Sequence, residues 1–215
     1  ERVAIAQETR NAVGSAFFRQ GKRELFQPKL SVDELKKIDP EYVQADLDDL
    51  SKEVVNRVVI DQNRISQAYI DDLDAAGMRP EKYVELVGIV VTFLSIDEFN
   101  RALDLPLEAL PEPISGASSE YVPSQASHVT GFVPMLPIEG AVDSESDLWG
   151  SWAPNVVRAL SAVPDAVRGW IKISGVQYLS MGDLVKMKEN TDRAIDRAQM
   201  ELIAGRVSAM NECFY

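Results

Sequence analysis

Cysteine and histidine are nearly missing: Cys213 and His128 are the only ones in 215 residues. One cysteine excludes a disulfide within the chain and any multi-cysteine metal site, and one histidine argues against a His-based zinc centre. Long apolar runs are missing too. The longest uncharged one, from Val87 to Ile96, has ten residues, against the roughly 20 that a membrane-spanning helix needs. No signal-peptide pattern is visible, so a soluble, cytoplasmic chain is expected. Positive charge is in short supply, with 22 basic against 34 acidic residues and a net charge of −12. That argues against a nucleic-acid partner, because phosphate binding needs a basic face, and against docking on anionic lipid.

What remains is ordinary globular material, with 46% apolar and 26% charged residues. A chain of this length can bury a core without disulfides or metals, as one large domain or two small ones. Strand-like alternation is scarce, and apolar spacings of three and four dominate, so an all-α fold is expected. Glu1 to Phe26 reads as a helix broken near Gly21. Ser31 and Glu34 form a capping-box-like start, and Pro40 opens a helix carrying Tyr42, Val43 and Leu47. A helical pattern then runs from Val54 to Leu73. Gly77 ends it and Pro80 starts the next, the usual placement of those two residues. The segment from Pro80 to Leu103 is the most apolar and should be the best-buried element of the first half.

Between Pro106 and Val142 the character changes: six of the eleven prolines fall there. This stretch reads as an ordered strap packing Tyr121, Val122, Phe132, Val133, Met135 and Leu136 on a surface. Helices resume after Asp143, with Pro154 and Pro164 as first-turn prolines and Thr191 capping a final helix through Ile195, Ala198, Leu202, Ala209 and Met210. The expected organisation is a helical unit over 1–105, a proline-rich linker over 106–142, and the start of a second unit over 143–215. The chain opens on Glu1 and stops at Tyr215 inside a patterned segment, which reads as a piece of a longer protein. His128 and the aspartate clusters 46/48/49 and 71/72/74 read as solvated; the clusters lack the glycine and distal glutamate of a calcium loop. Trp149, Trp152 and Trp170 read as core or interface residues.

Two segments share a pattern. Ala12-Val13-Gly14-Ser15-Ala16-Phe17-Phe18 lies over Ala209-Met210-Asn211-Glu212-Cys213-Phe214-Tyr215 at an offset of 197. Each has a small residue, an apolar one, two turn-friendly residues, a small residue and two aromatics. The stretch Glu201 to Tyr215, with its Arg206-Val207-Ser208-Ala209-Met210-Asn211 core and twelve residues from Glu201 to Cys213, resembles the carboxymuconolactone decarboxylase-like, alkylhydroperoxidase D-like family. That family places a second cysteine and then a histidine shortly after the first cysteine. A second resemblance lies in Glu81 to Pro106, an apolar helix ending in Asn100-Arg101 and the tail Leu103-Asp104-Leu105-Pro106. The likeness extends over 85–106 and 150–215 and is thin over 1–80.

The resemblance implies two related helical units, the first degenerate, with Ala16 where a cysteine would stand. It implies a thiol-dependent, antioxidant peroxidase-like oxidoreductase without a cofactor, acting on a small hydroperoxide and recycled by a thiol reductant protein. In that reading Cys213 is the resolving cysteine, Glu201 is the proton-relay carboxylate, and the attacking cysteine and the histidine fall beyond Tyr215. Homo-oligomers (dimer, trimer or hexamer) are implied as well. The spacing adds a condition, since twelve residues of straight helix span about 18 Å. The helix should therefore end near Met210, with Asn211 as the next N-cap. Two other readings stay open. One is a carboxymuconolactone decarboxylase-type enzyme without redox chemistry, its anionic substrate met by Arg193, Arg197 and Arg206. The other is a non-catalytic helical module that oligomerises.

Overall fold

The computed structural model describes residues 1–14, 33, 36, 43–117, 119–128, 130–184, 194–210 and 213. Among them the fold is all-α, with no strand and a single antiparallel bridge between Ser127 and Met135. The Gly21 break, the Ser31 cap, the Pro40 helix start, Thr191, Arg193, Asn211 and residues 15–18 of the shared pattern lie outside the described residues. The chain divides into two compact units, Glu1–Trp170 and Ile171–Tyr215.

The first unit begins with α1 (Arg2–Gly14), α2 (Asp49–Ile60), α3 (Gln67–Ala75) and α4 (Pro80–Ala102). Helix α1 packs on α2 and α4, while α2 and α3 both pack on α4. Ile5, Val54, Val55, Leu86 and Val90 are fully buried at these crossings, each such side chain contributing about 1.5–3 kcal/mol by leaving water. Val43 to Asp48 is not helical, although the sequence reading extends a helix through Val43 and Leu47. Asp48 is the reason: its carboxylate accepts from Ser51 N–H at 2.8 Å and from Ser51 Oγ at 2.7 Å, which starts α2 one residue later. The pattern from Val54 to Leu73 is also interrupted. Helix α2 stops at Ile60, a 3-10 turn spans Gln62–Arg64, and the Ser66 side chain caps α3.

Gly77 does end α3. It takes φ +96, and the Gly77 and Met78 N–H groups return to the carbonyls of Asp74 and Leu73 at 2.9 Å each. These are the paired bonds of a Schellman cap. Pro80 opens α4 as its first residue. Helix α4 buries Tyr83, Val84, Leu86 and Val90, but Phe99 is half exposed while Asp97 and Asn100 are buried.

The strap from Leu105 to Pro137 has no helix among its described residues. Val133, Met135 and Leu136 are buried, whereas Tyr121 and Phe132 stay exposed. Hydrogen bonds hold it to the elements that follow. Leu136 N–H donates to Ser161 Oγ at 2.8 Å, Arg158 Nε to Leu136 O at 3.0 Å, and Trp149 Nε1 to Ile138 O at 2.9 Å. Three short elements come next, 3-10 turns at Ile138–Gly140 and Asp143–Glu145 and α5 (Asn155–Arg158), then α6 (Pro164–Gln177), whose residues from Ile171 on belong to the second unit. Pro164 is a first-turn proline as expected, while Pro154 sits one position earlier, as the N-cap of α5. A Cβ on Gly88 would lie 2.8 Å from the Ala166 Cβ, so only glycine lets α4 approach α6 this closely.

In the second unit, α7 (Met181–Leu184) precedes α8 (Arg197–Met210). The start of α8 is set by Asp196. Asp196 Oδ1 accepts from Gln199 N–H at 2.8 Å, and Asp196 N–H donates to Gln199 Oε1 at 2.9 Å, a reciprocal capping box. Met200 is buried, but Leu202, Ile203, Val207 and Met210 are all more than half exposed.

Candidate functional site

Glu201 and Cys213 both belong to the second unit. Glu201 lies in the second turn of α8. Its Oε1 accepts from the Tyr178 hydroxyl at 2.7 Å and pairs with Arg197 Nε at 2.6 Å, one helical turn back. Arg197 in turn donates from Nη1 to the Asp183 carbonyl at 3.2 Å. The carboxylate is thus held by one hydrogen bond from a phenol and by the charge of a guanidinium, both at Oε1.

The described part of α8 runs to Met210, and Cys213 is not helical. The Cys213 N–H then donates to the Ser208 carbonyl at 2.9 Å, and the residue is exposed. That bond, six residues closing on one, is the same kind that ends α3, and it seats Cys213 over the carbonyl end of α8. Nine residues of helix separate Glu201 from Met210, about 13 Å along the axis. The two predicted site residues therefore sit toward opposite ends of α8, and α8 alone does not bring them together. Tyr178 is the partner of Glu201 that the sequence reading left out of the site, and Arg197 entered it only as a counter-charge for the substrate of the decarboxylase-type reading. The spacing of Arg197 to Glu201 was the available signal, since four residues apart is one turn on a helix face.

The first unit holds buried polar groups that the sequence reading also passed over. Glu8 is nearly buried and receives Asn11 Nδ2 at 3.1 Å and Asn56 Nδ2 at 2.9 Å. Burial pushes its carboxyl above the usual range, against the lowering pull of the two amides and of Lys52. Arg10 forms a two-pronged pair with Asp97, Nε to Oδ2 at 2.8 Å and Nη2 to Oδ1 at 2.9 Å. Arg57 reaches Glu53 Oε1 at 2.6 Å and covers the Tyr69 ring at 4.4 Å, while the Tyr69 hydroxyl donates to Glu53. Burial, then the Glu53 charge, pushes the neighbouring Tyr83 phenol up to about 12. These clusters tie α1, α2, α3 and α4 together.

His128 is exposed, and both aspartate clusters are solvated apart from the capping role of Asp48. Trp149 is buried, Trp170 half-buried and Trp152 exposed. Among the described residues, no group of three or more His, Cys, Asp or Glu side chains is placed to hold a metal ion. No described helix is long and apolar enough to cross a membrane.

No family model, curated protein or solved structure matches the chain.

Proposed function

We propose that the chain is part of a thiol-dependent peroxidase-like oxidoreductase similar to the alkylhydroperoxidase D-like family, with Cys213 as its resolving cysteine and Glu201 as its proton-relay carboxylate. The observation that carries the reading is Cys213 itself: it is exposed and outside α8, its N–H on the Ser208 carbonyl, with Glu201 on that helix. A resolving thiol must be accessible and next to a turn, since it has to reach the sulfur of its partner. The resemblance assigns the attacking role to the second cysteine of the family's pair, and a thiol at the carbonyl end of a helix, which offers no N–H groups to a thiolate, is consistent with the resolving role for Cys213.

The chemistry balances as follows. The attacking thiolate bonds to one peroxide oxygen, the O–O bond breaks, and the departing alkoxide takes a proton to leave as an alcohol. The resulting sulfenic acid condenses with the Cys213 thiol, forming a disulfide and releasing water. A dithiol reductant protein restores both thiols and is itself oxidised. Glu201, held by Tyr178 and Arg197, carries protons to the departing oxygens.

The test is hydroperoxide consumption by the natural full-length protein with a dithiol reductant. Cys213→Ser is expected to abolish turnover under recycling conditions, and Glu201→Gln to lower it by about 10²-fold, the lower end of general acid–base contributions. Wild-type turnover in both variants would overturn the reading.

A further inference from the structure

The first unit contains a cleft of about 740 Å³, a volume typical of small-molecule sites. It opens where three helices begin: α1 at Glu1 and Arg2, α4 at Arg79 to Lys82, and α6 at Pro164 to Arg168. The strap closes one side with Ser119 to Val122, and the 3-10 turn contributes Ser144 and Glu145.

The charges of the wall do not cancel. Its four cations are all occupied by carboxylates. Arg2 pairs with Glu85 at 3.1 Å and Arg79 with Glu81 at 3.3 Å. Lys82 pairs with Glu1 and with Glu85, and Arg168 pairs with Asp165 at 2.9 Å and with Asp147 at 2.8 Å. Two carboxylates of the same wall, Glu120 and Glu145, have no cation partner among the described residues. Glu145 is the telling one, because it is only 6% exposed. Its Oε1 accepts from the Tyr121 hydroxyl at 2.8 Å and from Ser144 Oγ at 2.9 Å, both neutral donors, and Oε2 accepts no hydrogen bond from the described residues. A carboxylate this buried is ordinarily matched by an opposite charge, since its desolvation is costly.

We propose that this cleft binds a small aliphatic amine, with an ammonium group on Glu145 Oε2 and, in a diamine, a second near Glu120. The ammonium supplies the missing counter-charge and donates to the vacant oxygen. Val122, Val163 and Pro164 give the methylene carbons an apolar wall. An anionic ligand fits poorly, because each cation it would need already serves an acid of the wall.

The experiment is calorimetric titration of 1,4-diaminobutane into the protein at fixed ionic strength, with 1,4-butanediol and succinate as the neutral and anionic counterparts. Saturable binding of the diamine alone is expected. Glu145→Gln should weaken it at least tenfold and Glu120→Gln about threefold. Asp72→Asn, which removes an exposed charge on α3, should leave it unchanged. Equal loss in all three variants would show attraction to overall negative charge and overturn the site, and so would succinate binding in place of the diamine. Circular dichroism checks the fold of each variant. If Glu145→Gln fails to fold, undiminished binding in Glu120→Gln overturns the proposal.

Discussion

Glu8 shows how a single residue departs from its type. It falls between Ile5 and Ala12, three and four residues from two buried positions, so the helical period carries it into the core stripe of α1. The stripe was visible in the sequence, but which acid would be buried in it was not, because that depends on Asn56 arriving from α2. The consequence for stability has a definite sign. Burial raises the folded-state carboxyl above its ordinary value of 4.5. The folded chain therefore holds this proton more tightly than the unfolded chain does. The penalty on the charged form is absent below the unfolded value, sets in as pH rises through the interval up to the folded value, and is complete above it. Each tenfold difference in proton affinity corresponds to about 1.4 kcal/mol. Urea unfolding of wild type and Glu8→Gln between pH 7.5 and 4.5 is expected to show wild type gaining stability relative to the variant as pH falls. A difference that stays constant over that range would contradict the burial argument.

At the scale of elements, helix ends explain several motifs. Helix α4 closes as α3 does: the Asp104 and Leu105 N–H groups return to the Arg101 and Asn100 carbonyls at 3.1 and 2.9 Å. The left-handed position that Gly77 fills in one cap is filled by Asp104, at φ 55, in the other. The tail Leu103-Asp104-Leu105-Pro106, one carrier of the family resemblance, is thus a working helix stop, with Pro106 preventing continuation. An aspartate in that conformation is strained relative to glycine. Asp104→Gly should stabilise the fold by about 0.5–1 kcal/mol in thermal or urea unfolding, and a loss of stability would refute the account. The starts of α2 and α8 teach a related lesson. Pro40 and Thr191 are good sequence signals, yet Asp48 and Asp196 set the starts of α2 and α8, because their side chains meet a backbone N–H three residues on.

Over the whole molecule the two units differ in what they bury. The first has a core drawn from α1, α2, α4, the strap and α6. In the second, Leu179 and Met200 are the buried apolar residues among those described. A unit of that size cannot draw much stability from its core, so its opening free energy should be low. Limited proteolysis is expected to cut first within 171–215 and to leave the first unit intact, as read by mass spectrometry. First cuts within α1, α2 or α4 would reverse that ranking.

Sequence alone determined the helical class, the stop at Gly77, the start at Pro80 and the proline-rich strap. These follow from period, backbone freedom and missing N–H groups, which act over a few residues. It also placed Glu201 and Cys213 on one segment, twelve residues apart. Tertiary structure decided which polar side chains became partners: Glu8 with Asn56, Arg10 with Asp97, Glu201 with Tyr178, and Glu145 with Tyr121. These partners lie from 23 to 87 residues apart in sequence. Charge bookkeeping along the chain could not find them, because a pair's worth depends on distance and burial, and the fold sets both.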